Sequence, residues 1–192
     1  MHVYVLGLQK QPETAVSEGT GPAAKVDGSA EEATEDLPLI TLNPSGSVPP
    51  ELIINIEKLK EAGNVAFRRK DFATAKSKYS QAIEECPKVE AARELLGVLY
   101  SNRSFTYECL EDSTNALADA QAAAQLRPEW SKAQYRLARA RRLAGSMEEY
   151  VTQLWEALRL DPTNTQIREE MKEAVQEARK AHANKTSTTR SA

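Results

Sequence analysis

From Glu51 onward, apolar residues recur every three or four positions with Lys, Glu, Arg and Gln between them, the period of a helix that buries one face. Prolines interrupt this stretch only at 87, 128 and 162, each where a helical pattern ends. Aligning on them gives three units of 34 residues, 56–89, 97–130 and 131–164. Each unit predicts two packed antiparallel helices. Leu59, Ala62, Gly63 and Ala66 face Ala75, Tyr79 and Ala82 in the first. Tyr100, Ser104 and Tyr107 face Ala116, Ala120 and Ala123 in the second. Leu137 and Ala138 face Leu154 and Ala157 in the third. Small residues (Gly63, Ser104, Ala138) occupy the eighth position of each unit, where the first helix crosses the second closely. Asp71 is placed to cap the second helix of the first unit. The seven residues 90–96 contain no breaker and predict a longer start to the next helix.

Stacked pairs leave an open face at the end of the array, which a terminal helix must cover. Ile167, Met171, Ala174, Val175 and Ala178 supply its apolar stripe, and predict a capping helix over 165–182. Two positions depart from the repeat: Tyr150 stands where a small residue is expected, and Arg141 where an apolar one is.

Composition separates this helical stretch from its flanks. Residues 1–50 hold six of nine Pro, five of eight Gly and one aromatic, with seven acids against two bases. Such a segment cannot bury enough apolar surface to offset the entropy of ordering it, and reads as a disordered acidic arm. Its start lacks the basic region of a secretory leader, and the acids that follow are unlike a mitochondrial presequence. Residues 51–164 balance 17 acids with 17 bases, and 183–192 read as a flexible polar tail. Net charge is −3, and no apolar run approaches the roughly 18–20 residues of a membrane span, so membrane insertion is not expected. Arg136, Arg139, Arg141 and Arg142 cluster without interleaved aromatics, so a nucleic-acid partner is not expected either. Cys86 and Cys109, with only His2 and His182, make neither a zinc pattern nor a disulfide framework, and suit a reducing cytoplasm. There is no phosphate-binding Gly-rich loop and no catalytic constellation; no enzyme, metal or cofactor is expected. Trp130 and Trp155 read as packing residues.

The period, the small residues and the closing prolines resemble the tetratricopeptide (TPR) repeat over residues 56–182. That resemblance implies an all-α fold, a right-handed superhelix of three helix-turn-helix repeats plus a capping helix, in a TPR domain spanning 51–182. Its concave wall is built from the first helix of each repeat. The positions that line it are Lys60, Asn64 and Phe67, then Val98, Ser101, Asn102, Phe105, Glu108 and Cys109, then Lys132, Tyr135, Arg136, Arg139 and Leu143. A single Lys or Arg on a helix is ordinarily just solvated. Three cations and two amides at matching positions in three repeats point instead to a compact anionic ligand.

Lys60-Glu-Ala-Gly-Asn64, Tyr100-Ser-Asn102 and Lys132-Ala-Gln-Tyr-Arg136 further resemble the carboxylate clamp of TPR co-chaperones. The resemblance implies that Lys60, Asn64, Asn102, Lys132 and Arg136 hold the C-terminal Glu-Glu-Val-Asp peptide of heat-shock protein 70 or 90. Lys60, Asn64 and Asn102 would take the main-chain carboxylate, and Lys132 and Arg136 the Asp side chain and adjacent backbone. The implied role is a cytoplasmic co-chaperone or adaptor. The alternative is a fixed scaffold subunit whose groove holds another chain's segment.

Overall fold

The computed structural model describes residues 43–44 and 46–190. Seven α-helices run through them: α1 Pro50–Arg68, α2 Phe72–Glu85, α3 Arg93–Cys109, α4 Ser113–Leu126, α5 Ser131–Leu143, α6 Met147–Leu160 and α7 Thr165–Arg190. Consecutive helices pack as pairs, α1 on α2, α3 on α4 and α5 on α6. Each pair also leans on the first helix of the next, and α7 covers α6. This is the expected TPR architecture of three repeats and a cap.

Local chemistry sets the helix limits. Pro50 sits in the first turn of α1, where its missing N–H would be unpaired anyway. Asp71 accepts from the Thr74 amide at 3.0 Å, the expected cap of α2, and Asp112 does the same for Asn115 at 3.1 Å at the start of α4. The turn inside each repeat passes through one left-handed residue: Lys70 (φ 62°), Glu111 (φ 58°) and Gly145 (φ 84°). Only the third repeat uses glycine there.

The core lies between layers. Ile56, Tyr79, Leu96 and Leu99 fill the first repeat and its junction with α3. Alanines 116, 120 and 124 pack against Leu137 and Ala140 in the middle. Tyr150, Leu154 and Ile167 close the far end. Gly63 is required by its neighbour: a Cβ there would stand 2.6 Å from the Tyr79 ring. Tyr150 proves to be a fully buried core residue. Cys86 is a buried free thiol, pushed up to about 11 by burial, and Cys109 is half-buried and free.

Several expectations change. The end of the acidic arm is structured: Asn43 donates its amide to Lys88 O and accepts from the Glu90 amide, both at 3.1 Å, while Val48 packs on the first core. The expectation of disorder over 1–42 and at 45 lies outside the described residues. The residues between repeats form a short 3-10 turn, Glu90–Ala92, before joining α3, so the lengthening is partial. α7 continues to Arg190, past the expected end at 182, and takes in most of the expected tail; 191–192 lie outside the described residues. Ala62 is exposed because the crossing turns on Gly63 and Ala66. Trp155 is 57% exposed, since Leu154 and Ala157 take the buried face of α6.

Candidate functional site

The middle of α1, the middle of α3 and the first turns of α5 enclose a cavity of about 230 Å³. Its walls are Asn64, Phe67 and Arg68 from α1, Tyr79 from α2, Asn102 and Phe105 from α3, and Lys132 and Arg136 from α5. Four of the five expected clamp residues meet here, from three repeats.

An aromatic floor supports the cations. Phe67 lies 4.9 Å from Phe105 and 5.3 Å from Phe72 between ring centroids. The Arg136 guanidinium stacks on Phe105 at 3.7 Å. Its Nε is buried and has no hydrogen-bond partner among the described residues. Burial pulls its pKa below the usual guanidinium value, only partly opposed by Glu108. Burial, then the Arg136 charge, also holds Lys132 below the usual ammonium value. Its ammonium stands 5.7 Å from the Trp130 ring. Among the described residues no carboxylate pairs with either cation.

The amides are oriented by their neighbours. Asn64 Oδ1 accepts from the Tyr79 hydroxyl at 2.7 Å and from Asn102 Nδ2 at 3.3 Å. Asn64 Nδ2 donates to Glu61 at 2.9 Å, and Glu61 accepts from Arg68 at 2.8 Å. The Arg68 and Asn64 contacts hold the Glu61 carboxyl below its ordinary range.

The remaining expected residues are placed differently. Lys60 pairs with Glu57 one turn earlier on α1 and does not line the cavity. Ser101 is fully buried, so it belongs to the packing between layers and not to the groove. Tyr135 is buried in the last core, its hydroxyl accepting from Gln166 at 3.1 Å and Arg139 at 3.3 Å. Arg139 is paired with Glu108, and its guanidinium lies 3.5 Å from Glu170 on α7. Arg139 and Glu108 therefore satisfy each other beyond the cavity. Four residues at or beside the site were not singled out as site residues in the sequence. Tyr79 carries only a packing signal at its repeat position. Arg68 and Glu61 lie seven apart on one face of α1, a spacing that links them, and Glu170 lies on the capping helix among the polar residues between its apolar positions.

A second cavity, of about 540 Å³, lies where Glu90, Arg93 and Glu94 meet the α4–α5 turn, beside Arg127 stacked on Trp130 at 4.3 Å. It contains no clamp residue. Among the described residues, no group of His, Cys, Asp or Glu could hold a metal, and no helix is long and apolar enough to cross a membrane.

The family model for TPR repeats of the serine/threonine-protein kinase BSK1-like kind matches residues 51–138. The first TPR of Spaghetti (RPAP3), solved bound to the HSP90 peptide SRMEEVD, superposes with a TM-score of 0.58 at 26% identity, over 64% of this chain and 94% of that one. Residues 51–138 thus carry TPR repeats, and the helical domain is similar to the TPR domains of co-chaperones. The TPR region is also similar to the STIP1 homolog of Dictyostelium discoideum, 36% identical over 117 residues, which are 61% of this chain and 20% of that protein. The Hsp70-Hsp90 organizing protein of Triticum aestivum is 33% identical over 127 residues, which are 66% of this chain and 20% of that protein. The chain thus spans about a fifth of the length of these curated relatives.

Proposed function

We propose that this chain is a chaperone adaptor, a binding module without catalysis, whose groove captures the C-terminal carboxylate of an acidic chaperone tail. One observation carries the reading. The Arg136 guanidinium, its Nε buried and without any partner, faces a small cavity that it shares with Lys132, Asn64 and Asn102. A buried donor with no acceptor is costly, and a carboxylate entering that cavity would satisfy it with charge-assisted bonds. Lys60 stands one helical turn from Asn64 and completes the clamp by releasing its partly exposed i, i+3 pair with Glu57, a contact of modest worth. Capture of a chain end in this way is an established recognition mode.

The tail class follows from the relatives. The superposed RPAP3 domain holds an HSP90 peptide ending in Glu-Glu-Val-Asp, and the wheat relative is named for organizing Hsp70 and Hsp90. These relatives support the C-terminal tail of heat-shock protein 90 or 70 as the ligand and the cytoplasm as the place of action. The test is a calorimetric titration of the 192-residue chain with SRMEEVD as the free acid and as the C-terminal amide. Saturable binding of the acid with marked weakening of the amide is the expected result. Equal affinity for both removes the clamp reading.

A further inference from the structure

We infer that Tyr79 is a positioning residue of the clamp: its hydroxyl, donating to Asn64 Oδ1 at 2.7 Å, fixes the Asn64 carboxamide so that its NH2 group serves the cavity. The ligand part of this inference rests on the function proposed above; the orientation part does not.

A carboxamide has an acceptor end and a donor end of nearly the same shape, so its direction is set only by hydrogen-bond partners. At Asn64 three partners agree. The oxygen receives Tyr79 Oη and Asn102 Nδ2, while the nitrogen gives one hydrogen to Glu61. Flipping the group would set its NH2 against the Asn102 NH2 and its oxygen against the Glu61 carboxylate. The second Nδ2 hydrogen is left for a ligand oxygen. Tyr79 is suited to this task because it cannot move. It is 2% exposed, and its ring lies directly beneath Gly63, with no room for a Cβ between them. Burial, and then the nearby Glu61 charge, push the hydroxyl up to about 12, so it remains a donor throughout the neutral range. A Phe at this position would keep the ring, the crossing and the core, and lose only the directing bond. The glycine at 63 and the tyrosine at 79 are thus coupled: the close approach that the glycine permits brings the hydroxyl within reach of Asn64.

The test compares the parent chain, Tyr79→Phe, Asn64→Ala and the double variant, all full length, titrated with SRMEEVD as free acid and as amide. Tyr79→Phe is expected to melt near the parent and to bind the acid roughly three- to ten-fold more weakly, the range of one hydrogen bond. The amide affinity should change less than two-fold, and Tyr79→Phe should add nothing in the Asn64→Ala background. A merely structural role would weaken acid and amide alike and persist without Asn64, and that result overturns the inference. So does an acid affinity equal to the parent's. In the ligand-free chain, the Asn64 side-chain NH2 resonances, identified by their loss in Asn64→Ala, should shift in Tyr79→Phe. If the parent fails to prefer the acid, the functional reading falls. These resonances then decide the inference alone, and their standing unmoved overturns it.

Discussion

Two arginines in this domain are buried to a similar degree and do opposite things. Arg103, on α3 beside Asn102, grips Asp119 of α4 through Nε at 2.7 Å and Nη2 at 2.8 Å, and donates to Ser80 at 3.0 Å. Its pKa rises despite burial, because the carboxylate favours the charged form. Arg136, on α5, is given an aromatic face and no carboxylate, and its pKa falls. The first is a strut between layers, satisfied within the chain. The second has no acid partner within the chain, and the proposed clamp would complete it with a ligand carboxylate. Arg139, one turn further along α5, shows how close the two conditions are: Glu108 and Glu170 convert a third groove arginine into a strut. What separates Arg136 from the other two arginines is that its own chain supplies it no paired acid.

That contrast can be broken most severely at Asp119. Asp119→Ala leaves the Arg103 charge buried and alone, and is expected to lower stability by about 3–5 kcal/mol in denaturant titrations. A loss under about 1 kcal/mol would show that Arg103 is no strut, by the scale of exposed pairs. Arg136→Met inverts the pattern. Acid-peptide affinity should drop by about 1.5–3 kcal/mol, the scale of a hydrogen bond to a charged group. Stability should hold or rise, because an unpaired buried charge has been replaced by an apolar side chain of similar length. An equal loss of stability and binding would erase the distinction between the two arginines.

Smaller changes sharpen the contrast. Glu170→Gln loosens Arg139 from α7 and should strengthen binding of SRMEEVD, whose paired glutamates lie upstream of its end, by up to about 1 kcal/mol. No change would mean that Glu108 alone keeps Arg139 closed. Glu57→Gln frees Lys60 from a partly exposed pair, with a gain of about a few tenths of a kcal/mol, larger at low salt than at high salt. A gain larger than that of Glu170→Gln would place Lys60 inside the working clamp before ligand arrives.

Periodicity and punctuation determined most of the fold. The three closing prolines, Gly63, Ser104 and Ala138 at the crossings, and the Asp71 cap are local requirements, because backbone geometry and helix contact admit few alternatives at those positions. The cavity was legible in part for the same reason. Asn64, Asn102, Lys132 and Arg136 occupy equivalent faces of equivalent helices, so the repeat itself carries them to one wall. What the repeat does not encode is the partner each side chain meets across repeats. Arg136 and Arg139 lie three residues apart on one helix and read alike in sequence. Glu108, 31 positions from Arg139, and Glu170, 31 positions beyond it, decide that one is engaged and the other open. Tyr79 reads as packing, and only the depth of the Gly63 crossing turns its hydroxyl into a director of Asn64. The docking of Asn43 on residues 88–90 was likewise invisible, since a single backbone bridge leaves no side-chain pattern. Helices are specified by neighbours three and four residues away, but charge states and amide directions by whatever the superhelix brings within about 3 Å, and that depends on the assembled molecule.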